Sequence, residues 1–99
     1  MSAIFHQIRD AVGMERFIVG SHADERVRER GFAVWQVAAG IAEGEVIREV
    51  ADARPNGKVE VRQFLSDGTP YMAVWSWLKE ERVAKLVTVH FFDRGLARW

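Results

Sequence analysis

His22, Arg26 and Arg30 are spaced four residues apart, so on a helix they would share one face, with Cβ atoms about 5–6 Å apart. An imidazole can move a proton, and a guanidinium can stabilise charge on a phosphoryl oxygen, so this stripe suits phosphate chemistry. His22 would also stand near the start of its helix, where anions bind readily. The same stripe reads, alternatively, as a solvated helix face with charges paired along it, such as Arg26 with Glu29.

A second constellation comes from the C-terminal half. Glu60, Arg62, Thr88 and His90, with Trp75 beside them, offer an acid, a cation, a hydroxyl and an imidazole on neighbouring strands. Such a set can bind or cleave an RNA phosphodiester without metal. That reaction needs a base for the 2′-hydroxyl, a cation for the phosphorane and an acid for the leaving oxygen. In this reading Glu60 and Trp75 contact the substrate, Trp75 by stacking on a base. The alternative is an ordinary solvated sheet face on which Trp75 is a cover or a dimer contact. Tyr71, Trp75 and Trp77 fall on one side of a strand, where aromatics more often pack than form a platform. Left open, that side would need a homodimer, a partner protein or the C-terminal Leu96 and Trp99 to cover it.

The elements that must position these groups follow from hydrophobic period and turn chemistry. Ile4, Phe5, Ile8 and Val12 make a helical stripe that Gly13 can end. Arg16 to Val19 reads as an extended connector or short strand. Ser21 is an N-cap candidate, with Asp24 and Glu25 in the first turn, and this helix runs to about Arg30, with Gly31 at its C′ position. Val34, Val37, Ala38 and Ile41 predict another helix, stopped by Gly44. Four strands follow: Val46 to Ala51, Lys58 to Leu65, Tyr71 to Leu78 and Ala84 to Phe92, joined at Pro55-Asn56-Gly57, Asp67-Gly68 and Glu80-Glu81-Arg82. Short turns between consecutive strands imply an antiparallel meander.

Two-residue loops at Asp67-Gly68 and Glu81-Arg82 would set Val61 opposite Val74 and Val74 opposite Val89. One face would then collect Val59, Val61, Met72, Val74, Val87, Val89 and Phe91 for helices to cover. The other would carry Glu60, Arg62, Trp75, Thr88 and His90. A bulge in either hairpin would exchange the faces.

The expected fold class is therefore α+β, with N-terminal helices on one face of a four-stranded antiparallel meander. The 99 residues suit one domain, divided as 1–20 for the first helix and connector, 21–93 for the core and 94–99 for a tail. Fourteen basic residues balance fourteen acidic ones, so net charge favours neither nucleic acid nor membrane. The absence of cysteine excludes disulfides, thiolate metal sites and cysteine nucleophiles. His6, His22 and His90 lack ligand spacing, so neither metal nor cofactor is expected. No signal peptide or membrane span is visible, which points to the cytoplasm.

Several runs resemble a known family: Ser21-His22-Ala23-Asp24-Glu25-Arg26, Arg30-Gly31-Phe32, Gly44-Glu45-Val46-Ile47 and Leu86-Val87-Thr88-Val89-His90. The chain is similar there to the bacterial family called domain of unknown function 4258. That pattern reads roughly H-A-x-x-R-x-x-x-R-G, a helix, G-E-V-I, two turns and an I-T-V-Y-like strand. The likeness runs from about Ser21 to Asp93, leaving the first helix outside. It departs at His90, where tyrosine is common, and at Ala33, where Ser or Thr usually caps the second helix. The family is similar to RelE-like and BrnT-like toxins, compact α+β ribonucleases that work without metal. The resemblance thus implies a RelE-like, ribonuclease-toxin-like fold and RNA cleavage, with His22, Arg26, Arg30 and Thr88 at the motif positions. Arg62 and His90 join them from the face argument. The expected partners are RNA, a cognate antitoxin protein or a second copy of this chain. A non-catalytic interaction module or homodimer using the aromatic sheet face is the alternative. The helix stripe and the polar face form one site only if the helix carrying His22 lies near a sheet edge.

Overall fold

A computed structural model describes residues 3–92. Its elements in chain order are α1 (Ala3–Gly13), β1 (Phe17–Val19), α2 (Ser21–Glu29), α3 (Val34–Gly40), a 3₁₀ turn (Ile41–Glu43), β2 (Glu45–Val50), β3 (Lys58–Phe64), β4 (Pro70–Leu78) and β5 (Val83–Phe91). The sequence-predicted helices and strands fall within a residue or two of these bounds. The fold class is α+β as expected, but the sheet has five strands rather than four, in the order β1-β5-β4-β3-β2. The segment read as connector or strand is β1, which pairs parallel to β5 with Phe17 opposite Ala84 and Val19 opposite Leu86. Parallel pairing between opposite ends of a chain leaves no turn signal to read.

Local chemistry explains the helix ends. Ser21 is not the cap of α2 but its first residue; Gly20 stands at the N-cap without a side-chain bond. Gly31 takes φ +78° just past the end of α2, the left-handed conformation that glycine adopts without a Cβ penalty. Ala33 cannot cap α3 with a side chain; instead Gln36 Oε1 accepts from the Ala33 N–H at 2.8 Å, half of a capping box.

β2 to β5 form the expected antiparallel meander, but its registers differ from those expected. The β3–β4 loop holds three residues, 66–68, closed by Leu65 N–H donating to Thr69 O at 2.9 Å, with Gly68 at φ +92°. A type I turn followed by a left-handed glycine is the usual three-residue hairpin loop. Asp67 Oδ1 accepts from the Thr69 N–H at 2.9 Å, which holds its carboxyl below the usual range. One extra loop residue moves the register, so Val61 faces Ala73 and Val59 faces Trp75. The β4–β5 loop, 79–82, has four residues, with Arg82 at φ +58°, and Val87 is an unpaired bulge between Leu86, opposite Trp75, and Thr88, opposite Val74.

The displacements cancel on β5 only beyond the bulge, so β3 and residues 88–91 keep their expected faces while the middle strand is reversed, and Leu86 takes the core place expected for Val87. Tyr71, Ala73 and Trp75 join Val59, Val61 and Val89 in the core, whereas Met72 and Val74 point to the other side. Tyr71 and Trp75 are 0% exposed, which corrects two expectations. Trp75 is not on the polar face and cannot stack on a base. The aromatic side of β4 is not an open interface for a homodimer or partner either: the helices already cover it. Leu96, Trp99 and the 94–99 tail lie outside the described residues.

α1 places Phe5, Ile8, Ala11 and Val12 in the same core. α2 adds Ala23 and Val27, and α3 with its 3₁₀ turn adds Val37 and Ile41. A buried glutamine fastens α3 to the sheet. Gln63 Nε2 donates to Val37 O at 2.9 Å and to the Tyr71 hydroxyl at 2.7 Å, and Trp75 Nε1 donates to Gln63 Oε1 at 3.0 Å. An indole N–H can only donate and a carbonyl can only accept, so the amide can sit only one way round. Gly40 permits this: a Cβ there would meet Gln63 Nε2 and the Tyr71 hydroxyl, each at 2.9 Å.

Candidate functional site

β1 pairs with β5 only as far as Leu86, so the stretch from Val87 to Phe91 has no strand on its outer side. α2 packs along that stretch. Its start is tied by the Gly20 N–H donating to Leu86 O at 2.9 Å. At its end the Arg30 guanidinium lies 4.7 Å from the centre of the Phe91 ring, which also stacks on Phe32 at 5.9 Å. Between these ties helix and strand run in the same direction over similar lengths, roughly 15 Å each at about 1.5 and 3.3 Å per residue. Arg26 therefore stands at about the level of Thr88 and Val89.

The two flanks of α2 differ. At 100° per residue, Asp24 and Arg28 lie on one side of the buried Ala23 and Val27, and His22 and Arg26 lie on the other. Arg28 Nε donates to Asp24 Oδ2 at 3.0 Å, and this flank lines a crevice with Phe32, Ala33 and Val34, towards α3 and the core face. The His22–Arg26 flank consequently faces the side of the sheet to which Thr88 and His90 point. His22 is exposed and Arg26 half-buried, and Arg26 makes no hydrogen bond or ion pair among the described residues. Thr88 Oγ1 is buried and has no hydrogen-bond partner among the described residues. A buried hydroxyl of that kind carries a desolvation cost of about 1–3 kcal/mol.

The open sheet face is ordered in rows. Glu45, Arg62, Met72 and His90 form one row across β2 to β5, and Arg48, Glu60, Val74 and Thr88 form the next. Arg62 Nε lies 3.9 Å from Glu45 Oε1, and Arg48 Nη1 lies 3.9 Å from Glu60 Oε2. Arg62 and His90 are two strands apart, about 10 Å between backbones, as are Glu60 and Thr88. The structure therefore sets His22 and Arg26 on the flank of α2 that faces the side of the sheet carrying Thr88 and His90. It sets Glu60 and Arg62 apart on the same face, each held by an opposite charge, and it buries Trp75. Arg30 ends the seam against an aromatic ring. Gln63 was not anticipated, although the inward alternation of Val59, Val61 and Gln63 marks it as a buried polar residue. Among the described residues no group of three or more His, Asp or Glu side chains is arranged to hold a metal ion. No helix of the described residues is long and apolar enough to cross a membrane.

The seam and sheet define a small α+β domain in which one helix rides on the exposed part of a central strand. The family model described as "Domain of unknown function (DUF4258)" matches residues 19–91, and the chain belongs to that family. The match spans α2 to β5, whereas α1 and nearly all of β1 lie before it. No curated protein and no solved structure matches the chain.

Proposed function

We propose that this protein is a metal-independent RNA-cleaving domain of RelE-like character whose working groups lie on the α2–β5 seam. Two observations support this reading: Thr88 Oγ1 is a buried hydroxyl and Arg26, on the flank of α2 that faces its side of the sheet, a cation, and neither has a partner among the described residues. Both groups lack partners that a phosphodiester could provide, since its oxygens accept from hydroxyl and guanidinium alike. His22, on the same flank, takes the proton from a ribose 2′-hydroxyl. The 2′-oxygen attacks phosphorus, and the charge on the phosphorane is met by Arg26 and the Thr88 hydroxyl. The P–O5′ bond breaks, a 2′,3′-cyclic phosphate forms, and His90 returns a proton to the leaving 5′-oxygen. Arg30 is a positioning residue that holds the end of α2 on Phe91. Glu60 and Arg62 would guide the strand across the open face. An antitoxin protein would act by covering this seam.

The test is RNA incubated with purified protein in EDTA, compared with His22→Ala, Arg26→Ala and Arg62→Ala. Wild type should cleave. His22→Ala and Arg26→Ala should each lose about 100-fold or more, and Arg62→Ala should lose less. No cleavage by wild type, or equal cleavage by all four proteins, would remove the proposal.

A further inference from the structure

The chain holds a second polar cleft on the helix-covered side, remote from α2. It opens between the start of α1, the loop 51–57 that joins β2 to β3, and the end of β4, and has a volume of about 440 Å³. That lies within the roughly 300–1,000 Å³ typical of small-molecule sites. Trp77, Gln7, Asn56, Asp52, Arg54 and Lys79 line it.

The wall of this cleft is fastened. Gly57 O accepts from both the Trp77 N–H at 3.0 Å and the Ser76 hydroxyl at 3.1 Å. The loop is drawn in so tightly that a Cβ on Gly57 would meet Ile4 Cδ1 at 2.7 Å and Ala51 O at 2.9 Å. The polar groups it presents are unused. Arg54 and Lys79 form no ion pair among the described residues, and the Trp77 indole N–H donates to no described group. Two cations against the single carboxylate of Asp52 leave an excess of positive charge.

We infer that this cleft binds a nucleobase carrying a phosphate. Half-buried Trp77 offers a ring face for stacking, a contact open to every base. Asn56 and Gln7 each offer both a donor and an acceptor to a base edge. Arg54 and Lys79 receive the phosphate. An apolar ligand would leave these cations and amides unpaired, and a simple anion would leave Trp77 unused. The inference does not rest on RNA cleavage at the α2–β5 seam, because the two sites share no residue.

The experiment follows the indole N–H resonances of the four tryptophans in ¹H–¹⁵N spectra of the full chain, with Trp77 assigned through Trp77→Phe. The probes are adenosine 5′-monophosphate, uridine 5′-monophosphate, adenosine, inorganic phosphate and a short single-stranded RNA. The Trp77 resonance should shift saturably with the mononucleotides. The exposed-loop variant Arg54→Ala combined with Lys79→Ala, its fold checked by spectral dispersion, should weaken binding by about tenfold or more. Saturation by mononucleotides alone makes the ligand a free nucleotide; tighter binding of the RNA makes it a nucleotide within a strand. Either supports the site. No shift with any nucleotide at about 10 mM, an equal shift with inorganic phosphate alone, or unchanged binding by the double variant would overturn it.

Discussion

Gln63 Nε2 donates to the Tyr71 hydroxyl at 2.7 Å, and both side chains are wholly buried. The same amide also serves Val37 O and Trp75 Nε1, so one residue satisfies polar groups from α3 and β4. Replacing it strands all three. Gln63→Leu should therefore cost about 2–4 kcal/mol in urea unfolding, more than the roughly 1 kcal/mol of Tyr71→Phe, which leaves two of the three bonds intact.

Burial raises the pKa of Tyr71 above its usual 10.0, outweighing the opposing bond from Gln63. The native state thus favours the neutral phenol. Its contribution to stability is complete below the unfolded pKa near 10 and is lost as pH rises through the higher folded value. Tyr71 is the sole tyrosine, so phenolate absorbance reports this group alone. It should rise only above pH 10, together with alkaline unfolding followed by circular dichroism. Phenolate forming below pH 10 in folded protein would contradict the burial.

Thr88→Val removes the orphan hydroxyl while keeping a β-branched strand residue. The fold should gain about 1 kcal/mol in thermal or urea unfolding, because a buried unpaired group disappears. RNA cleavage should fall at the same time. A variant that is less stable than wild type would mean that the hydroxyl has a partner in solution.

Glycines at close approaches should respond differently from glycines in open space. A Cβ on Gly44 would meet Val61 Cγ1 at 2.5 Å, whereas one on Gly13 meets nothing within 4 Å. Gly44→Ala should cost about 1–3 kcal/mol. Gly13→Ala, at the end of α1, should be neutral or gain up to about 1 kcal/mol. Paired urea titrations would reveal the contrast.

Trp35 is 69% exposed and Trp75 is 0% exposed. Iodide should quench fluorescence in Trp75→Phe, which retains Trp35, more strongly than in Trp35→Phe. Equal quenching in the two variants would mean that β4 does not face the core.

What the sequence made legible was local. Helical stripes such as Ile4, Phe5, Ile8 and Val12, and the turn residues Asn56-Gly57 and Asp67-Gly68, located the elements closely. Register was not legible, because it hangs on whether Gly68 closes a loop of two residues or three and on a bulge at Val87, and neither leaves a periodic trace. Two displacements of opposite effect left Val61 and Val89 correctly inward while sending Trp75 to the wrong face. Type and spacing group His22 with Arg26 and Arg30, whereas Thr88 belongs to a separate set on the sheet face, and nothing in that spacing joins the two. That the two share a side depends on β1 stopping at Val19, which frees the flank of β5 for α2. That relation spans most of the chain.

The parallel pairing of β1 with β5 also constrains how the molecule is made. β1 and α2 come early in synthesis, but both rest on the strand made last among the described elements. On the ribosome β1 and α2 must wait for their main partner until β5 leaves the exit tunnel, and the apolar side of α2 is open to chaperones until then.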